Sequence, residues 1–210
     1  MKAVITGDII NSTSIALNQR AALLQCLETI LNELRCLSPL EYEIFRGDSF
    51  QIVVEKAESA LQIAILIRAG LRHNISQYSH TIWDARLAVG VGDIDFVTNH
   101  IVTSDGEAFQ YSGRAFDELG KNNLIIKTRW ENINEELKVS TLFADEIISN
   151  WTPAQAYVVY QSLALKKTQK EIASQQQQSA QNISKLSILA KEKLIRTYIN
   201  RYQNLIILNQ

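Results

Sequence analysis

The sequence predicts a mixed α+β fold, a β-α-β-β-α-β sandwich followed by an all-α domain. Short apolar runs bounded by turns alternate with longer stretches in which apolar residues recur every three or four positions. The charge also changes sign along the chain: residues 1–150 carry 13 Lys and Arg against 20 Asp and Glu, whereas residues 151–210 carry 8 against 2. We therefore expect two domains, 1–150 and 151–210, with different partners.

The first element is the run KAVITG, Lys2–Gly7, which predicts a strand buried on both faces. Asp8 stands at the end of this strand. The next segment, Ile15–Leu37, has apolar residues at steps of three and four, as in a helix with one buried stripe. Pro39 ends that helix.

A hairpin and a second helix follow. Tyr42–Arg46 and Phe50–Glu55 are β-prone runs separated by the turn residues 47–49. Ala57–Gln77 then has helical periodicity, and Asp84–Val91 reads as the next strand.

Three further segments complete the first domain. Ser112–Leu119 predicts a short helix, Leu124–Thr128 a strand and Glu131–Ser149 a helix. The resulting order of elements is that of ferredoxin-like folds, an antiparallel sheet with two helices on one face.

The second domain is predicted to begin at Thr152, a helix cap that precedes Pro153. Gln175–Gln178 predicts a turn between two helices. The last helix, Leu186–Leu208, has more apolar residues than one buried stripe of a small domain needs, which favours a homodimer or an interdomain contact.

Composition excludes several classes of protein. No apolar run approaches the roughly 18 to 20 residues of a membrane span, so we expect a cytoplasmic protein with no membrane partner. Cys26 and Cys36 have no further cysteines near them, which predicts core thiols and excludes a disulfide framework or a zinc knuckle. His73, His80 and His100 lack ligand spacing, so we expect ordinary structural roles for them.

Two carboxylates are candidates for a metal site. Asp8 ends the first strand and Asp48 lies at the tip of the hairpin, which can be neighbours in such a sheet. Together with the backbone carbonyl of Ile9 they would supply the oxygen ligands that Mg²⁺ requires. The alternative is that both aspartates only cap turns, where Asp is common.

The motifs around these aspartates resemble a known group of enzymes. GDIINST at Gly7–Thr13 and FRGDSFQIVV at Phe45–Val54 look like the two metal-binding segments of class III nucleotidyl cyclases, and RLAVGVGDID at Arg86–Asp95 resembles the strand after them. With SDGEAFQYSGRAFDEL at Ser104–Leu119 and the C-terminal helices, most of the chain resembles the bacterial SatD family, which is related to the cyclase fold.

The resemblance implies that Asp8 and Asp48 are metal ligands and that Mg²⁺ or Mn²⁺ is the cofactor. Three positions depart from the cyclase pattern. Ile44 stands where cyclases have a purine-reading lysine, and Asp117 and Lys121 stand where they have a transition-state asparagine and arginine. A carboxylate has the wrong sign for stabilising a developing polyphosphate, and lysine lacks the bidentate contact of arginine.

A second candidate site binds an anion. Ser112 or Gly113 is predicted to begin a helix whose free amides favour a phosphate-bearing ligand, with Arg114 beside it. In the alternative, Ser112 only caps the helix. The predicted ligand-binding residues are Arg46, Ser112, Gly113, Arg114, Asp117 and Lys121.

The segment TQKEIASQQQQSAQNISKLS, residues 168–187, resembles the helix-turn-helix of sigma-factor region 4. Ala173 is small where the two helices would approach each other, and Ser179 caps the second helix. Gln, Asn and Lys can contact bases or phosphates of double-stranded DNA. The predicted DNA-binding residues are Lys170, Ser179, Gln181, Asn182, Ser184 and Lys185. The alternative is that these helices only pack against the first domain or dimerise.

Three functions follow from these observations. The first is a DNA-binding transcriptional regulator whose cyclase-like domain senses a nucleotide or phosphate ligand or mediates assembly. The second is an enzyme, a divergent metal-dependent nucleotidyl cyclase or phosphoryl-transfer catalyst. The third is a protein-binding module in which neither site has chemistry.

Overall fold

The computed structural model describes residues 1–45, 47–74, 81–94, 101 and 105–209. The strands and α-helices over these residues are β1 (Lys2–Ile9), α1 (Leu17–Leu34), β2 (Leu40–Phe45), β3 (Ser49–Val54), α2 (Ala60–His73), β4 (Ala85–Gly92), α3 (Glu107–Glu118), β5 (Leu124–Thr128), α4 (Glu131–Ser149), α5 (Pro153–Leu163), α6 (Gln169–Gln175), α7 (Ala180–Leu189) and α8 (Glu192–Asn209). The predicted α+β class and the β-α-β-β-α-β order are both present.

The strands form one sheet in the order β2-β3-β1-β4-β5. The central strand β1 is antiparallel to both β3 and β4, and β5 is parallel to β4. Asp8 lies opposite Ser49 of β3 on one side and opposite Arg86 of β4 on the other. Because directly opposed residues share a face of the sheet, these three polar residues gather at one end of β1.

Helices cover both faces of the sheet. Ala3 and Ile5 of β1 belong to the main core, which also contains the apolar residues of α1 and α2. Val4, which points the other way, packs with Ala108 and Phe109 of α3. The predicted pair of helices on one face is therefore present, and α3 covers the face that the sequence prediction left open.

Helix α3 approaches β4 closely because Gly90 has no side chain. A Cβ at Gly90 would lie 2.3 Å from the carbonyl oxygen of Ala108 and 2.4 Å from the amide nitrogen of Ser112. These are backbone atoms that cannot move aside. Gly90 therefore sets the spacing between α3 and the sheet.

The main core continues past residue 150. Trp151 of the α4–α5 connection and Tyr202 of α8 are buried in it. The Trp151 indole donates to the carbonyl of Ala190 at 2.8 Å, and the Tyr202 hydroxyl donates to the carbonyl of Ala57 at 2.9 Å. The division at 150 remains a prediction, and α5 and α8 share one core with the sheet.

A buried ionic network joins α2, α4 and the residue just before β4. Arg68 is fully buried and donates to both oxygens of Asp84, at 2.8 and 2.7 Å, and to Asp145 Oδ1 at 2.5 Å. Arg72 contacts Asp84 Oδ2 at 2.8 Å and the carbonyl of Trp151 at 2.7 Å. Each guanidinium thus has charged or carbonyl partners, as a buried cation requires.

Three predictions at the level of elements are wrong. The last helix begins at Glu192 rather than at Leu186, because α7 continues to Leu189 and Lys191 adopts a left-handed backbone, φ 57°, before α8. The second long helix ends at His73 rather than at Gln77, which lies outside the described residues. Cys36 is exposed rather than a core thiol, whereas Cys26 is half-buried against the core.

No helix among the described residues is both long and apolar enough to cross a membrane.

Candidate functional site

The structure brings Asp8 and Asp48 together at the end of β1. The hydroxyl of Ser49 donates to Asp8 Oδ1 at 3.1 Å and lies 3.5 Å from Asp48 Oδ1. The amide of Ile9 donates to the carbonyl oxygen of Asp48 at 3.1 Å, which fixes the hairpin turn against β1. One hydroxyl therefore lies within hydrogen-bond range of both carboxylates.

The backbone after β1 positions a second serine, Ser12, against Asp48. Asn11 adopts a left-handed conformation, φ 55°, which turns the chain after β1 into a short 3₁₀ helix, Ser12–Ser14. The Ser12 hydroxyl then donates to Asp48 Oδ2 at 2.5 Å. Gly47, with φ 84°, supplies the left-handed turn on the hairpin side, where a side chain would be strained.

The electrostatics of this site favour a bound cation. Burial raises the pKa of Asp8 above its usual value, and the neighbouring Asp48 raises it further. The hydrogen bond from Ser49 and the charge of Arg86 act in the opposite direction. Two carboxylates held this close repel each other, and a cation between them would relieve that repulsion.

Arg86 is a site residue that the sequence prediction missed. It lies opposite Asp8 in the sheet, its guanidinium carbon is 5.6 Å from the centre of the Phe116 ring, and Nη2 donates to the carbonyl of Gly120 at 3.2 Å. The positive charge of Arg86 lowers the pKa of Asp8, so it acts on this carboxylate across the sheet. Only the register of β1 on β4 identifies this residue, because it lies far from Asp8 in the sequence.

The donor atoms fit Mg²⁺ or Mn²⁺. Carboxylate, hydroxyl and carbonyl oxygens are hard ligands, which these ions prefer. Within the part of the chain that the structure describes, no group of three or more His, Cys, Asp and Glu side chains is placed to hold a metal. Asp8 and Asp48 would therefore hold the ion with water and phosphate oxygens completing its shell, as is usual for Mg²⁺.

The predicted anion site at the start of a helix is wrong in its geometry. Helix α3 begins at Glu107, so Ser112 and Gly113 lie in its middle, where amides are used within the helix. Ser112 is fully buried; its hydroxyl accepts from Thr6 Oγ1 at 3.0 Å and donates to the carbonyl of Phe109 at 3.1 Å.

The other predicted ligand residues are spread along the C-terminal part of α3 and beyond it. Arg114 and Asp117 are exposed on that helix, and Lys121 is exposed in the turn that follows. Arg46 lies outside the described residues, as do His80 and His100. Their role in binding a ligand remains a prediction.

The segment predicted to bind DNA forms two short helices, α6 and α7, joined by residues 176–179. Thr168 caps α6 in a reciprocal arrangement with Glu171, and Ser179 Oγ caps α7 by accepting from the amide of Asn182 at 3.2 Å. Ala173 is buried between the helices, in a small cluster with Ile172 and Ile183.

The side chains predicted to contact DNA lie mostly on the surface. Ser184 is half-buried, and the exposed members of the set are Lys170, Ser179, Gln181, Asn182 and Lys185. Asn182 donates to Gln178 Oε1 at 2.7 Å. This surface is accessible to a large partner.

A separate polar cluster lies between α1, the end of α2 and α5. The half-buried His73 ring packs against the rings of Tyr157 and Tyr160, with centroids 5.5 and 5.1 Å apart. Burial lowers the pKa of His73, against a smaller opposite effect of Glu33. Tyr160 donates to Glu33 Oε2 at 2.5 Å. These ring contacts place His73 in the packing between the end of α2 and α5.

No family model and no curated protein matches the chain. Among solved structures, a bacterial light-regulated adenylyl cyclase aligns at 15% identity and a TM-score of 0.41, over 60% of this chain and 74% of that one. The active GGEEF domain of a diguanylate cyclase from Vibrio cholerae aligns at 17% identity and 0.43, over 61% and 83%. Since both scores lie below 0.5, the function rests on the residues of the site.

Proposed function

We propose that the chain binds a nucleoside polyphosphate together with Mg²⁺ or Mn²⁺ at Asp8 and Asp48, and catalyses a phosphoryl or nucleotidyl transfer there. The observation that carries the proposal is the single Ser49 hydroxyl within reach of both carboxylates. It supports a preformed pair of oxygen ligands at a sheet end, beside the cation Arg86.

Each residue of the site has a separate role in the proposed reaction. Asp8 and Asp48 hold the divalent ion, which neutralises charge on the phosphate oxygens when bound. Ser12 and Ser49 orient the two carboxylates through the hydrogen bonds described above. Arg86 offers a further positive charge to a phosphate on the same face of the sheet. In a nucleotidyl transfer an oxygen nucleophile would attack the α-phosphorus and pyrophosphate would leave. In a phosphoryl transfer it would attack the terminal phosphorus and the nucleoside diphosphate would leave.

The described residues around Asp8 and Asp48 do not identify which nucleobase the substrate carries. Ile44 is half-buried on β2 and packs against the main core, so its side chain cannot hydrogen-bond a purine. Asp117 is exposed on α3 and carries the wrong charge for contacting a triphosphate. The substrate class is therefore defined by its polyphosphate.

The test measures Mn²⁺ binding by electron paramagnetic resonance, and turnover of ATP and GTP with Mn²⁺ or Mg²⁺. Asp48→Ala is expected to weaken Mn²⁺ binding at least tenfold, which corresponds to about 1.4 kcal/mol of binding free energy, because one of the two carboxylate ligands is lost. It is also expected to abolish turnover. Glu28→Ala, an exposed carboxylate on α1, is the matched control. Equal Mn²⁺ affinity in the wild type, Asp48→Ala and Glu28→Ala chains contradicts the proposal.

A second candidate function is DNA binding through α6 and α7. It is favoured by the exposure of Gln181, Asn182 and Lys185 on a capped helix and by the excess of basic residues after 150. In this case the first part of the chain would regulate binding through its ligand, which requires different ligand affinities in two arrangements of the chain.

Fluorescence anisotropy of the full chain with random duplex DNA at two salt concentrations tests this candidate. Salt-sensitive binding that Gln181→Ala with Lys185→Ala removes, and that Lys2→Ala leaves in place, supports it. Absence of binding at low salt rules it out and leaves the carboxylate site as the functional centre.

A further inference from the structure

Two exposed apolar surfaces of this chain carry opposite charge. The first, which we call the acidic stripe, runs along the solvent face of α4 and consists of Glu135, Val139, Leu142, Phe143 and Glu146. Its three apolar side chains remain 58%, 45% and 69% exposed in chain order. Their spacing of three and four residues places them on one side of the helix, opposite the buried residues.

The acidic stripe has a carboxylate at each end. Glu135 and Glu146 are both exposed, and Glu146 Oε1 accepts from Asn150 at 2.8 Å. Glu136 beside it is paired with Arg201 of α8, at 2.6 and 3.0 Å, and Lys138, three residues after Glu135, is also exposed. The stripe therefore combines an apolar centre with acidic ends.

The second surface, which we call the basic cleft, lies where α7 meets α8. Its cavity of about 370 Å³ is lined by Ser187, Ile188, Lys191, Glu192, Lys193, Leu194 and Arg196. Ile188 is 67% exposed and Leu194 58%. Glu192 accepts hydrogen bonds from Ser187 at 2.5 Å and Ser162 at 3.0 Å, and pairs with Arg196, so Lys191 and Lys193 give the cleft its charge.

We propose that the acidic stripe of one copy of this chain binds the basic cleft of a second copy. Exposed apolar side chains at each surface favour burial. The acidic ends of the stripe match the lysines of the cleft, and such charge complementarity selects the partner and sets the register. In a two-fold dimer, each copy contributes one stripe and one cleft, so the contact is made twice.

Charge reversal tests this pairing in the full-length chain. One variant carries Glu135→Lys and Glu146→Lys, so that both of its surfaces are basic. The other carries Lys191→Glu and Lys193→Glu, so that both are acidic. Sedimentation velocity over a concentration series gives the oligomeric state, and circular dichroism shows that each variant is folded.

The wild type is expected to be a dimer that weakens with salt, and each variant alone a monomer, because like charges face each other. An equimolar mixture of the two variants is expected to dimerise again, since the basic stripe then meets the acidic cleft and the basic cleft the acidic stripe. Glu28→Lys with Glu41→Lys, exposed positions on α1 and β2, is expected to leave the dimer intact.

Phe143→Ser removes apolar surface without changing charge, and is expected to raise the dimer dissociation constant at least tenfold. A wild type that stays monomeric at every concentration overturns the proposal. Variants that dimerise as well alone as the wild type overturn it too, as does a mixture of two folded monomeric variants that remains monomeric.

Discussion

The charge state of His73 is set by its surroundings, two tyrosine rings and the carboxylate of Glu33. Burial lowers its pKa below the usual 6.5, so the unfolded chain binds a proton at a higher pH than the folded chain. The contribution of His73 to stability is therefore complete above about pH 6.5 and is lost as pH falls below that value.

His73→Phe is expected to keep the ring contacts and remove this dependence. Between pH 7.5 and 5 the free energy of unfolding of the wild type should fall more than that of the variant, with a difference in slope of at most about 1.4 kcal/mol per pH unit. Urea unfolding at several pH values measures it. Parallel profiles for the two chains exclude a role for His73.

Arg86 faces the carboxylate pair from β4, and its charge acts in opposite directions on a metal ion and on a phosphate. If the proposed function holds, Arg86→Met weakens triphosphate binding in the presence of Mn²⁺ by about tenfold and leaves the affinity for Mn²⁺ alone equal or tighter. Calorimetric titration with each ligand separates the two effects. A loss of both affinities indicates a disrupted fold instead.

The sequence identified Asp8 and Asp48 because each follows a glycine at a strand end or a hairpin tip, which are local signals. It missed Arg86, since that contact depends on strand register. Ser112 was misplaced because a serine followed by glycine and a helical pattern is typical of a helix start. The true start follows Gly106, which has no side chain to signal a cap.

The distance between α3 and the sheet depends on the absence of a Cβ at Gly90. Gly90→Ala places a Cβ against two backbone atoms of α3, so the helix must shift and the free energy of unfolding is expected to fall by about 2 kcal/mol or more. Thermal unfolding monitored by circular dichroism measures this change.

Gly113→Ala is the matched substitution on α3 itself. A Cβ there meets no atom within 4 Å, and alanine is a better helix former than glycine, so stability is expected to rise by about 0.5 to 1 kcal/mol. Similar effects of the two substitutions would contradict the close approach described at Gly90.

Elements with strong local signals were predicted within a residue or two. Helix α4 has the predicted bounds, Glu131–Ser149, and α5 starts where Thr152 and Pro153 predict a cap and a first turn. The boundary between the last two helices was predicted at Leu186, a few residues too early, because the apolar pattern continues to Leu189 and only the left-handed Lys191 interrupts the helix. A lysine gives no sequence signal for that conformation.

Arg68 of α2 joins Asp84, which precedes β4, to Asp145 of α4, 77 positions away in the sequence. Arg68→Met leaves Asp84 and Asp145 buried without their main partner, and is expected to lower the free energy of unfolding by about 3 to 5 kcal/mol. Arg201→Met removes an exposed, solvent-screened pair with Glu136 and should lower the free energy of unfolding far less than Arg68→Met. Urea denaturation compares them, and equal losses would argue against the buried network.

The continuous core could not be foreseen from charge. The change in the sign of the net charge at residue 150 is a property of the surface. Trp151 and Tyr202 show that the C-terminal helices share a core with the first part of the chain, but only through their buried contacts. Both residues sit in apolar patterns that fit a separate helical domain equally well. Packing between distant segments decides between the two arrangements.

The hydrogen bond from Tyr202 to the carbonyl of Ala57 joins residues 145 positions apart. Bringing such distant segments together requires closing a long loop before the contact stabilises anything, which raises contact order and slows folding. The chain is therefore expected to refold more slowly than a helical bundle of its helix content, with α8 docking late. Tyr202→Phe keeps the ring but removes the hydrogen-bond donor. Because α8 docks late, stopped-flow measurements should show faster unfolding of this variant with little change in its refolding rate.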